Sequence, residues 1–125
     1  MNNKIIIDLD DTLTFNSSSS DYSRKSPRKN VIKKLFEFRD LGYEIVVYTA
    51  RNQKTYNGSI GKITKNTVPI ILDWLKAHNV PFDELIVGKP WCGPNGFIVD
   101  DRAIRPDEFI NLSQAGIETL LKNEK

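Results

Sequence analysis

Two pairs of aspartates each follow a short apolar run in this sequence. Asp8 and Asp10 come after the isoleucines at 5–7, and the pair Asp100-Asp101 comes after the run at 97–99. Four carboxylates in one small volume would repel one another and shift one another's pKa values. A hard divalent cation such as Mg²⁺ prefers oxygen ligands and removes that repulsion. The two pairs therefore predict a Mg²⁺ site built from Asp8, Asp10, Asp100 and Asp101.

Residue types that suit phosphate follow two other apolar runs. Thr49, Ala50 and Arg51 come after the run at 45–48, and Lys89 comes after the run at 84–87. Threonine offers a hydroxyl and backbone amides, while arginine and lysine donate charged hydrogen bonds to phosphate oxygens. We therefore predict that Thr49, Ala50, Arg51 and Lys89 bind a phosphoryl group.

The spacing of Asp8 and Asp10 suits a reaction at that phosphoryl group. An aspartate at the end of a strand, with a second aspartate two residues later, allows the two carboxylates to have different catalytic roles. One carboxylate can attack phosphorus, and the other can transfer protons to the leaving group and then from water.

The elements that must position these residues alternate along the chain. Ser26-Pro27 is typical of a helix start, and Gly42 of a helix end. The patterns predict strands at 5–7, 44–49, 84–87 and 96–100, helices at 26–42 and 67–78, and a short helix from Pro106 followed by one capped by Ser113. This order predicts one α/β domain over residues 1–125, with a mainly parallel sheet and flanking helices. Ligands of such sheets bind at the carboxyl ends of the strands, where all four polar clusters fall.

Composition excludes several other classes of protein. The 18 Lys and Arg nearly balance the 16 Asp and Glu, so the formal charge of +2 argues against a nucleic-acid partner. The single cysteine, Cys92, excludes an internal disulfide framework and fits a cytoplasmic location. No apolar run is long enough for a membrane span, and the amino terminus does not resemble a signal peptide.

Four segments resemble the motifs of the haloacid dehalogenase (HAD) superfamily. Residues 5–14, Ile-Ile-Ile-Asp-Leu-Asp-Asp-Thr-Leu-Thr, resemble motif I, and residues 46–51, Val-Val-Tyr-Thr-Ala-Arg, resemble motif II. Lys89-Pro90 resembles motif III, and residues 98–102, Ile-Val-Asp-Asp-Arg, resemble motif IV. The segments at 48–52 and 87–93 give a closer likeness to a small bacterial group of capsule-biosynthesis phosphatases.

The resemblance implies a Rossmann-like, HAD-type fold without a large cap domain. It also implies a Mg²⁺-dependent phosphomonoester hydrolase that acts through an aspartyl-phosphate. Asp8 would be the nucleophile and a metal ligand, and Asp10 would be the general acid and base with its backbone carbonyl on the metal. Thr49 and Lys89 would hold the phosphoryl group, while Asp100 and Asp101 would complete the metal site. The substrate would be a small phosphorylated metabolite, such as a sugar or polyol phosphate of capsule or polysaccharide biosynthesis.

Two positions depart from the pattern of the superfamily. Position 11, often glycine there, is Asp11, and the interval between Lys89 and Asp100 is short. Lys62 therefore remains an alternative for the phosphate lysine.

Two other functions remain open. The Asp-Asp-Arg segment at 100–102 also resembles the 3′-phosphatase domain of phage polynucleotide kinase, so a nucleic-acid 3′-phosphatase is one alternative. A non-enzymatic phospho-receiver domain is another, although a receiver carries its acceptor aspartate on a middle strand, where this chain has Thr49. A short sheet without a cap leaves edges exposed, and the last helix carries apolar residues, so we also predict a homo-oligomer.

Overall fold

A computed structural model of the chain describes residues 3–15 and 21–123. The chain divides into two compact units, Met1–Trp91 and Cys92–Lys125, here called the first and the second unit. The first unit contains β1 (Lys4–Ile7), a 3₁₀ helix (Tyr22–Arg24), α1 (Lys29–Asp40), β2 (Glu44–Tyr48), α2 (Ile60–Asn66), α3 (Val68–Ala77) and β3 (Glu84–Ile86). The second unit contains α4 (Pro106–Asn111) and α5 (Gln114–Asn123).

The three strands form a parallel sheet in the order β1-β2-β3. Parallel neighbours need a crossover connection. Helix α1 lies between β1 and β2 in the chain, and α2 and α3 lie between β2 and β3. The predicted α/β class, with a parallel sheet and flanking helices, is confirmed.

Within the first unit, the central strand is the most deeply buried part of the sheet. Ile45, Val46 and Val47 of β2 are at most 3% exposed, which shows that both faces of this strand are covered. Ile6 is the register partner of Val46 and lies on the same face, yet it is 66% exposed. Within the first unit, the sheet is therefore covered at its centre, whereas the other elements of that unit leave Ile6 uncovered.

Helix α1 begins later than its sequence predicts. Pro27 forms an antiparallel bridge with Thr14, and the Arg28 N–H donates to the Leu13 carbonyl at 2.7 Å. These contacts keep residues 27–28 extended, so the helix starts at Lys29. Its predicted end is confirmed, since Gly42 follows it with φ 94°, a conformation that glycine adopts readily.

The segment before α3 contains a helix that the sequence analysis missed. Residues 60–66 form α2, whose start is capped by the Ser59 hydroxyl accepting from the Lys62 N–H. Ile63 is the one fully buried side chain of α2. A single buried position among the seven residues of this helix gives no apolar periodicity. The third strand also ends one residue early, at Ile86.

The predicted fourth strand, at 96–100, is wrong for the described chain. Residues 96–100 form no strand there, and Phe97 and Val99 are 81% and 87% exposed. A strand exists only by pairing, and the described residues of the second unit include no strand that could pair with this segment. The helices that follow agree with their predicted starts, because Pro106 opens α4 and the Ser113 hydroxyl accepts from the Gly116 N–H. None of the helices within the described ranges combines the length and apolar character needed to cross a membrane.

Asp83 joins the ends of three elements in the first unit. Its carboxylate accepts from the Ile45 backbone N–H at 2.8 Å and from Arg39 Nη2 at 2.7 Å. The Ile45 hydrogen bond, together with the Arg39 guanidinium, holds the pKa of Asp83 below its ordinary value. The ionised carboxylate therefore ties α1 and β2 to the start of β3.

We expect Asp83→Ala to lower the free energy of unfolding by about 1 kcal/mol at neutral pH, because both hydrogen bonds of the carboxylate are lost. The loss is modest because the carboxylate is partly exposed and solvent weakens its ion pair with Arg39. A lowered folded-state pKa gives stability that is present above the ordinary carboxyl pKa and is lost as pH falls through the lowered value. Urea unfolding at neutral and acid pH should show the difference from wild type shrinking in acid. Asp73→Ala, on an exposed position of α3, is the matched control. An equal loss in both variants would contradict this role.

Candidate functional site

A tight turn after β1 presents the first aspartate pair. The Leu9 carbonyl accepts from the N–H groups of Thr12, Leu13 and Thr14 at 3.4, 2.9 and 3.1 Å. Leu9 and Leu13 are fully buried, which anchors the turn in the core. The side chains of Asp8 and Asp10 remain 35% and 28% exposed. The turn therefore offers two carboxylates to solvent from a fixed backbone.

Asp11 gives this turn its shape. Its φ is 63°, and its N–H donates to the Thr14 hydroxyl at 3.0 Å. A positive φ favours glycine, although aspartate tolerates it better than most residues. The aspartate at this position is therefore compatible with the left-handed backbone of the turn.

Asp8 lies between a hydroxyl and an ammonium group. The Thr12 hydroxyl donates to Asp8 Oδ2 at 3.2 Å, and Lys89 Nζ lies 3.5 Å from Asp8 Oδ1. Burial raises the pKa of Asp8 above its ordinary value, while Lys89 and the Thr12 hydrogen bond act in the opposite direction. The two partners favour the ionised carboxylate, the form required of a nucleophile.

Asp10 is held by a buried arginine. Arg51 Nε donates to Asp10 Oδ2 at 3.0 Å, and Arg51 Nη2 donates to Oδ1 at 2.8 Å. The Arg51 side chain is 1% exposed, and its guanidinium carbon lies 4.2 Å from the centre of the Tyr22 ring. Arg51 Nη1 is buried and has no hydrogen-bond partner among residues 3–15 and 21–123. The geometry thus indicates that the Arg51 side chain orients Asp10. The contact of Arg51 with a phosphoryl group stays a prediction.

Thr49 joins the ends of β2 and β3. Its N–H donates to the Ile86 carbonyl at 3.0 Å, and its carbonyl accepts from the Lys89 N–H at 3.1 Å. The Thr49 hydroxyl accepts from the Arg51 N–H at 3.0 Å, which leaves its own proton able to donate to a ligand. These bonds bring Lys89 to the same sheet edge as Thr49.

Gly88 sets the path of the chain into Lys89. Its φ is 83°, a conformation that other residues rarely adopt, and an added side chain would also displace the tip of the Ile60 side chain of α2. The positive φ therefore favours glycine where β3 leads into the lysine.

The structure brings five predicted site residues together at one edge of the sheet. Contacts link Asp8 to Lys89, Asp10 to Arg51, and Thr49 to the backbone of both cations. Ala50 lies between two of them, and its carbonyl accepts from the Gln53 N–H. Lys62 lies exposed on α2, so the geometry favours Lys89 as the phosphate lysine.

The second predicted aspartate pair lies in the second unit. Asp100 and Asp101 are exposed, and Asp100 Oδ1 accepts from the Arg102 N–H at 2.8 Å. Both aspartates line a pocket of ≈ 310 Å³ together with residues of α4 and α5. Over residues 3–15 and 21–123, no group of three or more His, Cys, Asp or Glu side chains is arranged to hold a metal ion.

Sequence reasoning missed two contributors to the site. Thr12 lies inside the motif I segment, but its hydrogen bond to Asp8 was not predicted. Tyr22 lies in a polar loop, and an aromatic residue in such a loop is a sequence signal that could have indicated its contact with a buried side chain. The loop is also held by Trp74, whose indole N–H donates to the Lys25 carbonyl at 2.8 Å.

Comparison with known proteins gives a structural relative. A crystal structure of a structural-genomics target from Vibrio cholerae is 52% identical in sequence, with a TM-score of 0.96, over 98% of this chain and 99% of that one. The chain belongs to the same family as this Vibrio protein. No family model matches the sequence, and no curated protein matches it. The family match confirms the fold and adds no chemistry to the site.

The ion pair of Asp10 with the buried Arg51 predicts strong energetic coupling. In a double-mutant cycle with Asp10→Ala and Arg51→Met, we expect a coupling energy of at least about 2 kcal/mol, because either single change leaves a charge uncompensated. The exposed pair Lys4–Glu84, at 3.4 Å, is the control and should give less than about 1 kcal/mol. Urea unfolding of the four proteins in each cycle measures both values. Equal coupling in the two cycles would contradict the assigned role of Arg51.

Proposed function

We propose that this protein is a Mg²⁺-dependent phosphomonoester hydrolase of the HAD superfamily, acting through an aspartyl-phosphate on Asp8. The observation that carries the proposal is the contact of Asp8 with Lys89 at the carboxyl edge of a parallel sheet. A nucleophilic carboxylate beside a phosphate-binding cation is what phosphoryl transfer to aspartate requires. The oriented carboxylate of Asp10, two residues away, supplies the proton-transfer group.

The proposed reaction has two displacements at phosphorus. In the first, an oxygen of Asp8 bonds to phosphorus, the ester oxygen leaves, and Asp10 donates a proton to it. In the second, Asp10 takes a proton from water, the water oxygen bonds to phosphorus, and the bond to Asp8 breaks. Inorganic phosphate and the alcohol are the products.

The positions of the neighbouring groups fit these roles. The Thr12 hydroxyl orients Asp8 through Oδ2, and Lys89 and the Thr49 hydroxyl are donors for phosphoryl oxygens. Arg51 binds both oxygens of Asp10, but each carboxylate oxygen keeps a second lone pair for proton transfer.

The donor atoms at this edge suit Mg²⁺ in kind. Carboxylate oxygens are the ligands this ion prefers, and the Asp8 carboxylate is exposed enough to bind a Mg²⁺ ion. We propose Asp8, Asp10, Asp100 and Asp101 as its ligands, as the sequence pattern predicts. A bound Mg²⁺ supplies positive charge that neutralises the phosphoryl oxygens during transfer.

The proposed substrate is a small phosphorylated metabolite, such as a sugar or polyol phosphate of polysaccharide biosynthesis. The near-balanced charge favours a small substrate over nucleic acid. The free cysteine fits a reducing compartment, and we propose a cytoplasmic location. Initial rates on phosphosugars, phosphoglycerols and 3′-phosphorylated oligonucleotides would separate the metabolite phosphatase from the 3′-phosphatase.

Replacement of the nucleophile tests the mechanism. We expect Asp8→Asn to reduce turnover of an aryl phosphate at least about a thousandfold, because the amide cannot attack phosphorus. Circular dichroism should show an unchanged fold, since the amide has nearly the same shape. Asp73→Asn, on an exposed helix position, should keep full activity. Activity above a few per cent in Asp8→Asn would rule out the assigned nucleophile.

Removal of metal tests the cofactor. EDTA should stop phosphate release and added Mg²⁺ should restore it, because the phosphoryl group and the aspartates proposed as ligands need a cation. Asp100→Ala should raise the Mg²⁺ concentration for half-maximal activity more than Asp101→Ala does. Full activity in EDTA would refute the metal site. A phospho-receiver would instead form the adduct without sustained release of phosphate.

A further inference from the structure

The ring of Tyr22 covers the guanidinium that holds Asp10. The guanidinium carbon of Arg51 lies over this ring, 4.2 Å from its centre, and the Arg51 side chain is 1% exposed. An aromatic face attracts a guanidinium placed over it, and the attraction is stronger where water is excluded. The Arg51 side chain therefore makes the ring contact and its two hydrogen bonds to Asp10 at the same time.

The guanidinium of Arg51 holds the Asp10 carboxylate at two points. Nε donates to Oδ2 at 3.0 Å, and Nη2 donates to Oδ1 at 2.8 Å. Bonds to both oxygens fix the plane of a carboxylate, which a single bond would leave free to rotate. Nη1, the third nitrogen, is buried and has no hydrogen-bond partner within residues 3–15 and 21–123. The ring of Tyr22 is therefore a restraint on the guanidinium that its bonds to Asp10 do not provide.

Backbone contacts fix the segment that carries Tyr22. Thr14 forms an antiparallel bridge with Pro27, which closes the base of the loop. The buried Trp74 of α3 donates its indole N–H to the Lys25 carbonyl at 2.8 Å. These contacts hold the ring in place, so the orientation of a site carboxylate depends on a residue outside the four motif segments.

We propose that Tyr22 is a positioning residue for the proton transfers of Asp10, acting through the guanidinium of Arg51. The ring restrains the guanidinium, and the guanidinium fixes the plane of the carboxylate. The proposal rests on the proposed function, because it assigns to Tyr22 the alignment of the group that protonates the leaving oxygen and deprotonates water.

Loss of the ring would affect the two site carboxylates differently. Without it, Arg51 keeps its charge beside Asp10 but can tilt, and proton transfer depends on alignment. Asp8 has other partners, since the Thr12 hydroxyl donates to it and Lys89 Nζ lies 3.5 Å from it. The attack on phosphorus should therefore persist where proton transfer is impaired.

Two aryl phosphates of similar shape separate these two events. Phenolate is a strong base and needs the Asp10 proton as its bond to phosphorus breaks, whereas dinitrophenolate leaves as the anion. The value of kcat/KM reports the steps up to this departure. For Tyr22→Leu we expect kcat/KM to fall about fivefold or more on phenyl phosphate and less than about twofold on dinitrophenyl phosphate.

Two matched variants control for a general loss of structure. Tyr22→Phe keeps the aromatic face and should retain wild-type values on both substrates. Tyr43, also half-buried, lies directly before β2 with its ring 5.0 Å from that of Phe38, and Tyr43→Leu should change neither value. Equal losses on both substrates in Tyr22→Leu, or no loss on either, would overturn the positioning role.

Replacement of the proton-transfer group separates failure of the inference from failure of the proposed function. Asp10→Asn should show the same dependence on the leaving group as Tyr22→Leu, with a larger loss on phenyl phosphate. If Asp10→Asn shows this dependence and Tyr22→Leu does not, the positioning role fails and the proposed function stands. If Asp10→Asn loses equally on both substrates, the proton-transfer role of Asp10 is wrong.

Unfolding tests the ring contact without reference to activity. In urea, the stability lost by the double variant Tyr22→Leu/Arg51→Met should be smaller than the sum of the two single losses, because both single changes remove the same contact. The losses of Tyr43→Leu and Arg51→Met should add. Additive losses for Tyr22 and Arg51 would overturn the proposal. An inactive wild type would overturn the proposed function, and this cycle would still decide the contact.

Discussion

The parallel, in-register pairing of β1 with β2 brings the carboxyl ends of both strands to one edge, with Ile7 beside Val47. An antiparallel pair would have set the residue after β1 beside the start of β2. The same direction holds for β3, and the backbone bonds of Thr49 extend the pairing past its end. Every contact among Asp8, Thr49 and Lys89 depends on this shared direction, because the three residues are far apart in sequence.

Much of the site could be predicted from local pattern combined with one rule of topology. Asp8, Thr49 and Lys89 each follow an apolar run, and parallel sheets collect such residues at one edge. Their hydrogen-bond partners could not be predicted in this way. Arg51 has the composition of a phosphate ligand, yet its guanidinium binds Asp10 and faces Tyr22. That choice depends on where a loop between β1 and α1 returns, which no short window of sequence contains.

The errors in the predicted secondary structure also arise from contacts that a short window of sequence does not contain. A helix is stabilised largely by its own residues and the face it buries, so the ends at Gly42, Pro106 and Ser113 were predictable. A strand needs a partner whose identity is not local. Residues 97–99 have the composition of a strand, and the described residues of their own unit include no strand to pair with them. Helix α2 was missed because only one of its side chains, an isoleucine, is buried, and a single buried position gives no periodicity to detect.

Burial of Arg51 makes its ion pair with Asp10 less sensitive to the ionic strength of the medium than a surface ion pair is. The outer edge of the sheet relies on Lys4 with Glu44 and Glu84, side chains that are between 38% and 49% exposed. Dissolved ions screen such surface pairs strongly, but they reach a guanidinium that is 1% exposed and lies against Tyr22 far less. Concentrated salt therefore weakens the start of β1 before it weakens the turn after it. The first unit can lose attraction at one end of its edge strand while the carboxylates at the other end keep their orientation.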